Sequence, residues 1–219
     1  MTSTVSELRV LREQPHAPLA EGATLELLVV SADDVHCAGI DLATGALVRA
    51  WAPAPPEARI RPYDVVHVTC HDDPEMVPDP AQPEAVAVVA PPEVVSRMTN
   101  RRCERLIRPL LHPSNQPLLG ISATAIPFWQ RSADHPSIAL VEPAGRIVMI
   151  REGSYLACRF PWQDHERELP CLDRGLAGYM DRHGRTRLTA GKGDRLVVSL
   201  TAPIDGRCHK VVETVLRRL

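Results

Sequence analysis

The chain has 219 residues, 44% of them hydrophobic and 4% aromatic, with 25 Lys and Arg against 27 Asp and Glu for a formal net charge of −2. That length allows one large domain or two small ones with cores of Val, Leu, Ile and Ala, and the charge excludes a globally basic nucleic-acid binder, so phosphate contacts would need a local patch. No stretch approaches the roughly 18 apolar residues of a membrane helix, and residues 1–16 lack the apolar core of a secretory leader, so a cytoplasmic protein with no membrane partner is expected.

Residues 1–22 are polar, contain Pro15 and Pro18, and read as an irregular arm with a short helix at Val5–Arg12. Leu25–Ser31, Val35–Leu42 and Ala46–Trp51 are short apolar runs, the last two separated by the turn signal Asp41-Leu42-Ala43-Thr44-Gly45. Asp64–Cys70 is apolar on both faces and reads as a nearly buried strand, and Ala85–Val89 closes this set. Ten prolines between Pro53 and Pro92 place stiff loops around these strands, because proline cannot donate to a ladder.

Pro91-Pro92-Glu93 predicts a helix start with Val95, Met98, Thr99, Cys103 and Leu106 on one face and Arg97, Arg101, Arg105 and Arg108 on the other, ended by Pro109. Residues 110–136 are loop-rich. Then come strands at Ser137–Glu142, Arg146–Glu152, Tyr155–Trp162 and Glu166–Leu169. Asp173 is placed to cap a helix over Arg174–Arg182 that Gly184 ends. Arg195–Thr201 and His209–Leu216 are the last two strands. The turn around Gly45 is echoed by the one around Gly145, as a duplicated small barrel would leave. The fold class is therefore all-β with a few helices, in two halves of similar size that suit OB-type barrels.

Enzyme signatures are weak. Cys37, Cys70, Cys103, Cys158, Cys171 and Cys208 are scattered without a C-x-x-C pair and read as buried reduced thiols. Cys70-His71-Asp72-Asp73 gathers potential metal ligands, but consecutive strand residues point to opposite faces, so Cys70 and Asp72 can share a face without His71. Cys208-His209 meets the same objection. Pro78-Asp79 with Glu84 lacks the nuclease lysine, Val86 standing in its place, so the charge of the transition state has no cation. Gly120-Ile121-Ser122-Ala123-Thr124 ends in Thr where a nucleophile elbow needs a glycine-like position. Gly191-Lys192-Gly193-Asp194 lacks the spacing of a P-loop. No catalytic residue, metal or cofactor is expected.

Three stretches carry a family resemblance. His36–Asp41 through Gly45–Trp51 and Tyr63–Val68 form one set, Cys158-Arg159-Phe160-Pro161-Trp162 through Asp173 a second, and Leu196–Pro203 with Gly206 and His209–Val212 a third. Together these resemble the dual OB-containing domain family of prokaryotic conflict systems, although Arg49-Ala50-Trp51 stands where that family has an Arg-Pro pair. The resemblance implies two tandem OB-like barrels, 23–109 with the Arg-rich helix trailing it and 137–219, joined by a linker at 110–136. It also implies a non-enzymatic recognition module. OB barrels grip single strands on the face of their second and third strands with aromatic platforms. That assigns Arg49 and Trp51 in the first barrel and Arg151, Arg159 and Trp162 in the second, with Arg97, Arg101, Arg105 and Arg108 holding phosphates. Arg182, Arg185, Arg187, Lys192 and Arg195 form a second basic cluster. The expected partner is single-stranded DNA or RNA; the competing reading is an adaptor for an effector protein of a conflict system, presented by the Pro-rich loops.

Overall fold

The computed structural model describes residues 23–34, 36–51, 60–71, 82, 84–131 and 136–217. The chain is mostly β, with two short helices among the described residues, and it divides into two compact units. The first takes the described residues up to Met98 together with Pro136; the second takes Thr99–Arg131 and the described residues from Ser137 onward.

In the first unit, β1 (Thr24–Ala32) lies between β2 (His36–Asp41) and β4 (Asp64–Thr69), both antiparallel to it. β3 (Leu47–Trp51) continues the meander beside β2. β5 (Ala85–Ala87) runs parallel to β3, and β6 (Glu93–Arg97) covers the other side of β4. The resulting order is β5-β3-β2-β1-β4-β6. The ends of β4 and β5 also meet, through the Cys70–Val88 bridge and the His71 N–H to Ala87 O bond of 2.9 Å.

Alternation explains the core. Leu25, Leu27 and Val29 of β1 join Cys37, Val48, Ala50, Val66 and Val68 in one buried cluster, as period-two strands require. Gly39 is obligatory there: a Cβ on it would stand 2.9 Å from both Leu27 Cβ and Leu28 O. The β2–β3 turn forms as expected. Asp41 accepts from the N–H of Ala43 and Thr44 and from the Thr44 hydroxyl, and Gly45 supplies the φ of 75° that side chains avoid.

The expected helix from Glu93 is corrected to a strand followed by a shorter helix, α1 (Asn100–Ile107). Val94 and Val95 are β-branched, and β4 offers them a ladder partner, with Val66 opposite Val94 and Asp64 opposite Arg97. Tertiary pairing therefore overrides the helical stripe.

In the second unit, β7 (Ala125–Pro127), β14 (Arg207–Leu216), β13 (Arg195–Leu200) and β8 (Ile138–Val141) form one sheet in the order β7-β14-β13-β8. β11 (His165–Pro170), β10 (Tyr155–Trp162), β9 (Val148–Glu152) and β12 (Arg187–Thr189) form the other, in the order β11-β10-β9-β12. A parallel bridge from Cys171 to Val212 links β11 to β14. α2 (Arg174–Arg182) lies between β11 and β12 in the chain and begins at Asp173, whose Oδ1 accepts from Leu176 N–H at 2.8 Å. Phe160, Leu140, Met149, Leu169, Met180 and Val212 are fully buried in this unit. The echo between the Gly45 and Gly145 turns does not mark equivalent hairpins: β2 and β3 pair directly, whereas β8 and β9 belong to different sheets.

Candidate nucleic-acid interface

Arg49 and Trp51 leave β3 on one side, away from Val48 and Ala50 in the core cluster. Arg49 is nonetheless 2% exposed, so it does not stand on an open strand-binding face. Its NH1 is 3.4 Å from His36 Nε2, and the other ring nitrogen of His36 lies 3.1 Å from Asp33 Oδ1. Trp51 is half-buried and stacks on His36, its cross-strand partner, with centroids 5.4 Å apart.

The four arginines assigned to one helix face do not share an element. Arg97 is on β6, where NH1 donates to Asp64 Oδ1 at 2.9 Å. Asp64 also accepts from Arg61 N–H, so the pair ties β6 to the start of β4. Arg101 and Arg105 are exposed on α1, and Arg108 on the 3-10 turn after it, while Cys103 and Ile107 face inward. Arg102 is exposed as well.

In the second unit, Arg151 forks onto Asp181, with Nε and NH2 donating at 3.1 and 3.0 Å, and NH1 donates to Ser154 O. Arg159 is on the exposed face of β10 and pairs with Glu168, directly opposite on β11; Glu166 and Glu152 add to the negative surroundings that raise its pKa further. Trp162 is corrected from platform to core: it is 2% exposed, and its indole N–H donates to Gln116 O at 2.9 Å. Arg195 is also interior, held by Glu104 at 2.7 and 2.8 Å and by Glu142 at 2.8 Å. Arg182, Arg185, Arg187 and Lys192 are exposed.

Two adjacent open aromatic residues lie outside the sites expected from the sequence. Trp129 is 69% exposed and Phe128 44%, with rings in an edge-to-face contact at 5.8 Å. Phe128 N–H donates to Gly206 O, and Trp129 Cζ3 stands 3.4 Å from where a Cβ on Gly206 would be. The pair is thus held against the β13–β14 hairpin, beside exposed Ile204 and exposed Arg207, whose backbone pairs with Pro127. An adjacent aromatic pair after Pro127, in a region short of apolar periodicity, was the available signal.

The six cysteines are buried free thiols. Burial pushes Cys37 up to about 12, with Asp33 adding, and pushes Cys171 up to about 12; Cys158 moves in the same direction. Thiolates are the nucleophiles, so these groups are inert near neutral pH. Among the described residues no group of three or more His, Cys, Asp or Glu is placed to hold a metal; Asp72, Asp73 and Asp79 lie outside the described residues. Ser122 occupies an exposed bend and not a strand–turn–helix elbow. Among the described residues no helix is long and apolar enough to cross a membrane. No protein-family model, curated protein or solved structure matches the chain.

Proposed function

We propose that the chain is a non-enzymatic recognition module of two OB-like barrels in tandem, the second of which binds single-stranded nucleic acid. Strand pairing supports the barrel reading. In the first unit, β1, β2, β3, β5 and β4 form a path that returns to β1, with β3 and β5 parallel and the Cys70–Val88 bridge joining β5 to β4. In the second, β9, β10 and β11 lead through the parallel Cys171–Val212 contact to β14, β13 and β8, and the chain from β8 to β9 completes the path. The first is a path of the five-stranded Greek-key type that OB folds use, and the second, with six strands, matches it when β8 and β9 count as one interrupted strand. A prokaryotic conflict system is the setting the family resemblance implies.

The observation that carries the nucleic-acid reading is the open Phe128–Trp129 pair. On the OB path the β13–β14 hairpin connects the fourth and fifth strands, and that loop is one OB barrels apply to oligonucleotides. Exposed rings stack on bases of any sequence, and an adjacent guanidinium reaches phosphate. Arg207, Arg101, Arg105 and Arg108 supply exposed cations; the β10–β11 face, with Glu166 and Glu168 beside Arg159, is the less suitable surface.

Anisotropy titrations with short labelled oligo(dT) and oligo(rU) test this. Trp129→Ala is expected to weaken binding by about tenfold, since a stacked base is worth roughly 1–3 kcal/mol. Arg207→Ala should lower the logarithmic salt slope by about 0.7. No binding at low salt, or binding that Trp129→Ala leaves unchanged, would overturn the reading.

A further inference from the structure

β14 places Cys208, Lys210 and Val212 on one face, and all three are buried. A strand that alternates in this way sends the Lys210 stem into the interior among apolar side chains. On β11, Arg167 shares a face with buried Leu169 and lies opposite buried Phe160. The parallel bridge between Cys171 and Val212 sets Leu169 level with Lys210, two residues back on both strands. Lys210 and Arg167 therefore converge on one recess, whose rim is the segment around Ser122 and Thr124 and whose floor includes Leu118 and Leu169.

The charge in this recess is uncompensated. No carboxylate lines it, and among the described residues neither cation forms an ion pair. Lys210 Nζ donates to Ile121 O, which leaves two ammonium donors. Burial pushes this ammonium down to about 8, and the Arg167 charge adds to the shift. Buried cations are normally paired, and two cations flanked by hydroxyls on an apolar floor make a receptor for a compact, multiply charged acceptor. Ser122 is not hydrogen-bonded to Lys210 among the described residues.

We infer that this recess binds a phosphate-type oxyanion, held by Lys210 and Arg167 and completed by the hydroxyls of Ser122 and Thr124. The anion is a free phosphate or the terminal phosphate of a strand, and the chemistry of recognition is the same for both. The inference stands on residues separate from the Phe128–Trp129 pair, so it does not depend on the nucleic-acid reading.

The test uses the full chain with inorganic phosphate as probe, in a phosphate-free background held at constant ionic strength with sodium chloride. Phosphate should raise the unfolding midpoint beyond the chloride control and shift the 13Cε resonance of Lys210 in lysine-labelled protein. Lys210→Met, which keeps the stem, and Arg167→Gln, a change at the half-buried rim, should each weaken phosphate binding by about tenfold or more. Arg167→Gln keeps the inference testable if Lys210→Met does not fold. A 5′-phosphorylated oligonucleotide that displaces phosphate, where its 5′-hydroxyl counterpart does not, identifies a strand end as the source; phosphate binding without such competition identifies the free anion. Stabilisation no greater than that of chloride, or phosphate binding equal in the wild type and both variants, would overturn the inference. Phosphate binding with no oligonucleotide binding would remove the nucleic-acid reading and leave this site standing.

Discussion

Lys210 shows how a single buried charge links folding to pH. Its ammonium is pushed from 10.5 down to about 8 in the folded protein. Among the described residues the charged groups facing it reduce to Arg167 on β11; β13 presents Leu200 opposite, and the segment from Leu118 to Thr124 brings hydroxyls and a carbonyl. The unfolded chain therefore binds more protons between about pH 8 and 10.5, and stability rises with pH in that window. The contribution is complete above the unfolded value and lost as pH falls through about 8. Urea unfolding at several pH values in phosphate-free buffer should show this rise, and Lys210→Met should flatten it. A wild-type curve that is already flat over the window would show that the ammonium keeps its ordinary affinity. At the same scale Arg49, Trp162 and Arg195 reverse their expected roles. Their chemistry fits a ligand face, but each is consumed by contacts inside the protein: Arg49 beside His36, Trp162 on Gln116, Arg195 on Glu104 and Glu142.

Among the elements, α2 follows the local code closely. Asp173 caps it as expected, and the same carboxylate also accepts from Val215 N–H at 3.1 Å. One side chain thus starts the helix and pins β14. Asp173→Ala is expected to destabilise the fold by about 2 kcal/mol, the upper end for losing a cap, because a second bond goes with it. Asp173→Asn, which keeps a cap acceptor, should cost less than about 1 kcal/mol. Denaturant midpoints check both; equal losses would show that the cap is not what matters. β6 is the opposite case. Pro92 and the 3.6-residue stripe favour a helix, but the open edge of β4 offers ladder bonds and Asp64 waits for Arg97. The same edge geometry explains why β7 and β12 escaped the sequence reading: each has three residues and exists because β14 or β9 pairs with it.

At the scale of the molecule, the second unit begins before its first sheet strand in the expected barrel. Thr99–Arg131 belongs to it, contributing Glu104 to Arg195, Gln116 to Trp162, β7 to β14, and the buried Leu118 and Leu119. A fragment of residues 99–219 should therefore fold alone, whereas 137–219 should not, since truncating a single buried leucine already costs about 2–5 kcal/mol against a typical domain stability of 5–15 kcal/mol. Amide dispersion in 15N spectra distinguishes the two. A well-dispersed spectrum from 137–219 would place the boundary where composition alone suggested.

Local sequence signals suffice for the β class, the positions of most strands, the Asp41–Gly45 turn and the capped helix at Asp173. These depend on alternation, turn residues and caps, which act over a few neighbouring positions. Which strands pair, the extended state of residues 93–97, and which polar and aromatic side chains are covered follow from long-range contacts instead. Coverage of one side chain depends on what packs over it, and for Trp162 and Arg195 the decisive partners stand 46 and 91 residues away in the chain. The recess of Lys210 and Arg167 has the same origin: its cations come from two strands whose adjacency no local pattern encodes.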